Sequence, residues 1–321
     1  MRGTMQMKRT IGLATLVLAA GFAGPLAVAA DNDWMNRVGE ALGKPGQEMQ
    51  GVVYRVGLPR TDLHVKLDGV EIRPALALGS WLAFKKTSAN EAMVMGDLVL
   101  TEKEVNPVMK KLEEGGIEVT ALHNHLLRNE PFTMYMHVLG HGEPGKLAGV
   151  LHAALAESKT PLGGAAPAAS GSSQPPTTSP QEPGFDTAVI DRVLGHQGKA
   201  NGGVYAVNIP RAQPVKEGGM EVPASMGSAI GINFQSTGGG KIATTGDFVL
   251  TAREVNPVAK ALRENGIEVT AIHNHMLADE PRLFFMHFWA NDEIEKVAKG
   301  LRAALDKVDV KRASIGTPSR G

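Results

Sequence analysis

The sequence predicts an α+β fold made of two tandem homologous units, each a mostly antiparallel sheet with helices packed on one face. Three observations carry this expectation. Residues 96–137 and 246–287 match without a gap at an offset of 150, and about 27 of the 42 positions are identical by direct count. A fixed-period match of that kind indicates duplicated structural units. Within each copy the apolar period changes from two to about 3.6 and back. Strand-like runs come first and a β-α-β-β-α order follows, which suits helices laid on one face of an antiparallel sheet.

Each unit opens with a helix, through Trp34, Val38 and Leu42 in the first copy and Val189, Val193 and Leu194 in the second. Strand candidates follow at Val52–Val56, His64–Leu67, Trp81–Phe84 and Met93–Thr101. Their counterparts are Val204–Ile209, Pro214–Lys216, Ala229–Phe234 and Lys241–Thr251. The matched segment then becomes helical. Thr101 with Glu104, and Thr251 with Glu254, have the spacing of a capping box. Asn106-Pro107 and Asn256-Pro257 offer a second possible helix start. Gly116 and Gly266 fit as terminators. Ile117–Thr120 leads into the histidines, a turn falls near Glu130-Pro131, and a strand covers Thr133–Leu139. Leu147, Leu151 and Leu155, or Val297, Leu301 and Leu305, mark the closing helix.

The ends and the middle carry less information for the fold. Arg2, Lys8 and Arg9 precede an apolar run at Ile11–Ala20 and small residues at Ala27–Ala30, the pattern of a cleaved export signal over 1–30. The expected units are 31–158 and 185–308, with a Pro/Gly/Ser/Ala-rich linker at 159–184 and a tail at 309–321. Periplasmic or secreted localisation follows as an expectation, with no membrane span. The chain has no cysteine, which excludes disulfides, thiolate metal sites and thiol nucleophiles. Its 33 basic and 33 acidic residues balance, and no basic cluster stands out, so a nucleic-acid partner is disfavoured. The partner left open is a small molecule or an envelope component, and the two units are free to pack as an intramolecular pseudo-dimer.

The polar residues that persist are the functional clue. Core positions tolerate exchange among large apolar residues, yet His-Asn-His, Glu-Pro and Met-His are unchanged in both copies. Strand alternation puts His123 and His125 on one face. A turn centred near Pro131 would set His125 opposite His137, bringing three imidazoles together with Glu130 at the turn. The second copy repeats this with His273, His275, His287 and Glu280. Histidine plus carboxylate suits a divalent transition metal: zinc first, with iron, manganese, copper and nickel also compatible. The plainer alternative is a set of histidines that hydrogen-bond within a half-buried sheet.

Other repeated polar residues invite simpler readings. Asp97 and Asp247 follow a glycine and read as turn-shaping. Arg60 and Arg211 read as surface salt bridges, Asn124 and Asn274 as structural hydrogen-bonders, and Met136 and Met286 as core. His141 and His152 lack histidine counterparts (Asn291 and Arg302). The letters HNH do not make an HNH nuclease. The Gly116…His123-x-His125…Glu130…His137 spacing is similar to a cupin motif, but the helix at 102–114 argues against a cupin barrel.

The strings GDLVLTEKEVNPV, GIEVTALHNH and EPFTMYMH, with LALGSWLAF upstream, resemble the LppY/LpqO family of bacterial exported proteins. The resemblance spans the first copy and most of the second. It implies a duplicated exported domain without an assigned activity, and the missing lipobox cysteine keeps any lipid anchor from carrying over. The sequence therefore leads to an exported, duplicated protein that binds a divalent metal through His123, His125, Glu130 and His137 and their repeats. Two alternatives stand beside it: a non-catalytic envelope module, and a His/Glu-dependent hydrolase. Whether the chain is an enzyme is left open.

Overall fold

The structure, a computed structural model, describes residue 1 and residues 26–162 and 181–311. Most of the expected export signal, most of the linker and the end of the tail lie outside the described residues. The described residues from Trp34 onward form one compact unit that contains both repeats.

The first repeat runs α1 (Leu26–Leu42), β1 (Gln47–Met49), β2 (Val53–Pro59), β3 (Lys66–Leu67), β4 (Val70–Glu71), α2 (Pro74–Ala77), β5 (Gly79–Lys86), β6 (Ala92–Thr101), α3 (Glu102–Glu114), β7 (Glu118–His123), β8 (Thr133–Gly142) and α4 (Pro144–Leu155). The second runs α5 (Thr187–Leu194), β9 (Lys199–Asn201), β10 (Val204–Pro210), β11 (Val215–Glu217), β12 (Met220–Val222), β13 (Ala229–Gly238), β14 (Lys241–Thr251), α6 (Ala252–Glu264), β15 (Glu268–His273), β16 (Asp279–Glu280), β17 (Leu283–Glu293) and α7 (Ile294–Leu305). Each repeat builds a six-stranded sheet, β1-β2-β5-β6-β8-β7 and β15-β17-β14-β13-β10-β9. The strand pairs in both are antiparallel. The expected class holds.

Helices cover one face of each sheet. In the first repeat Trp34, Val38 and Leu42 of α1, Val108 and Leu112 of α3, and Leu147, Leu151 and Leu155 of α4 bury against Val94, Leu98, Met136 and Val138. Leu98 and Leu100 alternate with Asp97 and Val99 along β6, so the latter pair belongs to the opposite face. That opposite face is not left to water. Ala83, Met93, Met95 and Leu139 join the core of the second repeat, and Val99, Tyr135 and Leu126 pack with Val204, Ala243 and Trp289. The repeats thus bury together the faces that their long helices leave open, with the short α2 packed at the same seam.

The capping boxes settle where the central helices begin. Thr101 and Thr251 are the N-caps, and Pro107 and Pro257 lie inside the helices. Glu104 accepts from the Thr101 N–H at 2.8 Å and Glu254 from the Thr251 N–H at 2.7 Å. The same carboxylates hold the repeated arginines, which corrects the surface reading of Arg60 and Arg211. Arg60 is fully buried and Arg211 nearly so. Arg60 donates to Glu104 at 2.8 Å and to the Val99 carbonyl at 2.7 Å. Arg211 donates to Glu254 at 2.9 Å and to the Val249 carbonyl at 2.6 Å. Each arginine ties a central strand to the helix that leaves it.

Gly96 and Gly246 are mid-strand residues, so the Gly-Asp pair shapes no turn. A Cβ on Gly246 would stand 2.0 Å from the Gly231 carbonyl oxygen, and one on Gly96 2.9 Å from the Trp81 carbonyl. Backbone gives way less readily than a side-chain tip. Gly246→Ala is therefore expected to destabilise by roughly 1–3 kcal/mol, the usual cost of overpacking, in urea unfolding monitored by circular dichroism. A loss below about 0.5 kcal/mol would mean that β13 and β14 part freely here.

Candidate functional site

The site grows from three adjacent strands in each sheet. In the first, Asp97 on β6 faces His137 on β8, and His137 faces Ala121 on β7. In the second, Asp247 faces His287, which faces Ala271. His123 and His273, two residues past those alanines, emerge on the same face. This corrects the expected register. Ala121 rather than His125 lies opposite His137, and His123 lies opposite Tyr135, with a bulge between Val119 and Ala121.

The strand leaves the ladder after His123 because the following loop is held from elsewhere. Asn124 donates its amide to the carbonyls of Leu126 and of Thr270 in the other repeat, at 3.2 and 3.1 Å. Glu130 exchanges backbone hydrogen bonds with Lys66 at 2.8 and 2.9 Å. That pairing removes Glu130 from the site, and Glu280 is removed by the pairing of β16 with Lys216 on β11. Both glutamates are exposed and belong to none of the ligand clusters, which corrects their assignment as ligands. The carboxylates that do enter are Asp97 and Asp247.

The loops reach across the interface reciprocally. Thr120 donates to the His275 carbonyl at 2.6 Å and Thr270 to the His125 carbonyl at 2.5 Å. Asn274 donates to the Thr120 carbonyl at 2.9 Å, mirroring Asn124. Each loop end is thus fixed by the other repeat, the self-complementary logic of a twofold interface within one chain. The double change Thr120→Val/Thr270→Val leaves two carbonyls without these donors, at roughly 1 kcal/mol each. Thermal melting is expected to fall accordingly, and an unchanged melt would show that these bonds contribute nothing net.

Six imidazoles meet at this interface. Ring centroids lie 3.4 Å apart for His123 and His273, 3.6 Å for His125 and His287, and 3.7 Å for His137 and His275. Tyr135 stacks on His125 at 3.3 Å and Phe285 on His275 at 3.4 Å. One ring nitrogen is held by backbone in several of them. The Nδ1 atoms of His123, His273 and His287 meet the carbonyls of Asn124, Asn274 and Gly246 at 3.1, 3.0 and 2.8 Å. A carbonyl only accepts, so these Nδ1 atoms carry the proton and Nε2 keeps its lone pair. All six Nε2 atoms are buried without a hydrogen-bond partner, as are Asp97 Oδ1 and Asp247 Oδ1. Asp247 Oδ2 stands 3.3 Å from His275 Nε2 and Asp97 Oδ2 3.8 Å from His125 Nε2.

Burial sets the charge of these groups. Desolvation lowers His123 to about 4 and His273 to about 3, with His123 itself adding repulsion at His273. The other four rings move the same way, by burial and mutual repulsion. The rings are neutral near pH 7, the form that ligates metal. Burial also raises Asp97 to about 8, opposed by the Arg55 charge, and raises Asp247 well above the ordinary carboxylate value, with Asp97 adding to it. A cation would reverse that push.

His123, His125, His137, His273, His275 and His287 come together, and the aspartates join them. The unchanged Gly-Asp pair within the repeat was the available signal for Asp97 and Asp247. Met136 and Met286 are core, and His141 is exposed. His152 sits near the Leu42 carbonyl at 3.2 Å. A cavity of about 570 Å³ lies elsewhere, lined by residues 61–74 and Gln235–Thr237 and by none of the six histidines.

Fold and site together define a duplicated α+β protein with a histidine-aspartate cluster at its internal interface. The chain belongs to the family described as Domain of Unknown Function (DUF1259), whose model matches it twice, at residues 36–157 and 188–307. No curated protein sequence matches it. Among solved structures, the trimeric bacterial microcompartment shell protein PduB aligns at 10% identity and TM-score 0.20, over 83% of this chain and 96% of that one. EtuB from Clostridium kluyveri aligns at 9% identity and TM-score 0.18, over 81% and 88%. Similarity that low carries no argument about fold or function.

Proposed function

We propose that this chain is an exported metal-binding protein whose two repeats jointly hold a divalent transition metal. The observation that carries the reading is the set of six buried Nε2 atoms without hydrogen-bond partners, with three of the rings anchored by backbone through Nδ1. Leaving buried polar atoms unpaired is costly. A ligated imidazole normally donates its other nitrogen to a carbonyl or carboxylate in this way. Neutral imidazole with carboxylate and no thiolate favours zinc, copper, nickel or iron over calcium or magnesium, and zinc remains the first ion to try. The export reading rests on Arg2, Lys8, Arg9 and the apolar run Ile11–Ala20. The resemblance to LppY/LpqO proteins agrees with it and adds no activity.

One observation favours a second reading. Three imidazole pairs stack across the repeats at 3.4–3.7 Å, so the rings also serve as packing between the halves. Elemental analysis of protein purified without a polyhistidine tag separates the two. Metal is expected in near-stoichiometric amount, removable by chelation and restored by zinc or a neighbouring ion. Negligible metal with failed reloading by zinc, copper, nickel, iron and manganese would leave only the packing role.

A further inference from the structure

Resting on that reading, we propose that the cluster is a two-ion centre, with one divalent transition-metal position supplied by each repeat. Eight candidate ligands converge, and they do not form one coordination sphere. Four groups have ligand atoms mutually within 4.8 Å, and two of them contain four residues: Asp247, His273, His275 and His287, and a set drawn from both repeats, His123, His137, His273 and His275. A tetrahedral ion takes four such donors, so one ion leaves half the set unused.

The groups overlap, but only one pair of them shares no residue. One of that pair is Asp247, His273, His275 and His287, and the other is Asp97, His125 and His137. These disjoint sets divide by repeat. The remaining ligand, His123, is the repeat counterpart of His273 and stacks on it at 3.4 Å. Its ligand atom groups with His137 as well as with His273 and His275, and by repeat symmetry it is assigned to the first-repeat set as its fourth donor. His123 also groups with His125 and His287, so the two positions adjoin. Two ions side by side are suited to bind water or an oxyanion between them.

The positions are unequal. Arg55 is half-buried, stacks over Trp81 at 4.1 Å, and its charge acts on Asp97 from two strands away. By strand register its counterpart is Ala206: Arg55 pairs with Ala83 and Ala206 with Asn233, which in turn face Met95 and Thr245. A positive charge that reaches Asp97 opposes a metal cation there, and its register counterpart near Asp247 is the uncharged Ala206. The second-repeat position is therefore expected to fill first.

The test is a zinc titration of the tag-free, chelated full-length protein, followed by elemental analysis after desalting. It is run beside Asp97→Asn and Asp247→Asn, which keep side-chain shape and are checked for folding by circular dichroism. The parent is expected to hold two ions per chain in two resolved steps. Asp97→Asn is expected to lose the weaker step and Asp247→Asn the tighter. One ion per parent chain, or loss of all metal in either folded variant, would replace the two-ion centre with a single shared ion. No metal in the parent would instead remove the metal reading itself.

Discussion

If the histidine cluster holds a metal as proposed, removing it is expected to lower the melting temperature by on the order of 5–15 °C, and adding the ion back to restore it. An ion at 100–1,000 times its dissociation constant stabilises the folded state by about 3–4 kcal/mol. For a chain of this size each kcal/mol shifts the melt by about 2–4 °C. The effect falls on the interface, because the ligands come from both repeats and the loops carrying them are cross-tied through Thr120, Thr270, Asn124 and Asn274. Chelated and metal-loaded calorimetric scans that superimpose would sink this expectation.

The metal-free protein carries a pH dependence of its own. Unfolded histidines take up protons near pH 6.5, whereas the folded His123 and His273 do so only near 4 and 3. Asp97 and Asp247 hold protons in the fold and act the other way. With the other four rings lowered as well, the six histidines outnumber them, so the unfolded chain binds more protons and stability falls as pH drops below about 6.5. A chelated protein equally stable at pH 7 and pH 5 would contradict neutral buried rings.

Arg60→Met is expected to cost about 3–5 kcal/mol, the usual penalty for removing one partner of a buried ion pair. Arg60 is wholly enclosed, and its guanidinium bridges Glu104, Asp62 and the Val99 carbonyl. Without it, Glu104 keeps the N–H groups of Thr101 and Lys159 at 2.8 Å each and loses its counter-charge. The double variant Arg60→Met/Glu104→Met should recover part of the loss by removing the stranded carboxylate. Urea unfolding of the set measures both, and a single-variant cost under 1 kcal/mol would refute the pairing.

The same pair has a definite acid response. Hydrogen bonds from Arg60, Thr101 and Lys159 outweigh burial and hold the Glu104 carboxyl below its ordinary value. Its stabilisation is therefore present above the unfolded value near 4.3 and is lost as pH falls through the folded one. Glu254 is lowered in the same way by Arg211, Thr251 and Asp309.

The duplication, the order of elements, the capping boxes and the six histidines were legible because each rests on local chemistry. A Thr-x-x-Glu box satisfies helix donors within a few residues, and apolar alternation specifies a strand face wherever the strand pairs. What failed was register and reach. His125 was expected across from His137, but the strand ends at His123 because Asn124 and Glu130 bond to distant segments. The same distant bonds turn Glu130 and Glu280 outward. Arg60 looked like a surface charge, because a buried ion pair 44 residues apart in the chain leaves no local pattern.

The sequence by itself determined that one α+β unit occurs twice and that His-x-His and a later histidine recur in each. Only the tertiary structure decided that these form one cluster rather than two, with aspartates in place of glutamates as its carboxylates. The physical reason is that each sheet has a face its long helices do not cover and that must be buried. Burying the two faces against each other brings both sets of strand-borne Asp97, His137, Asp247 and His287 together, three of them buried and Asp247 half-buried.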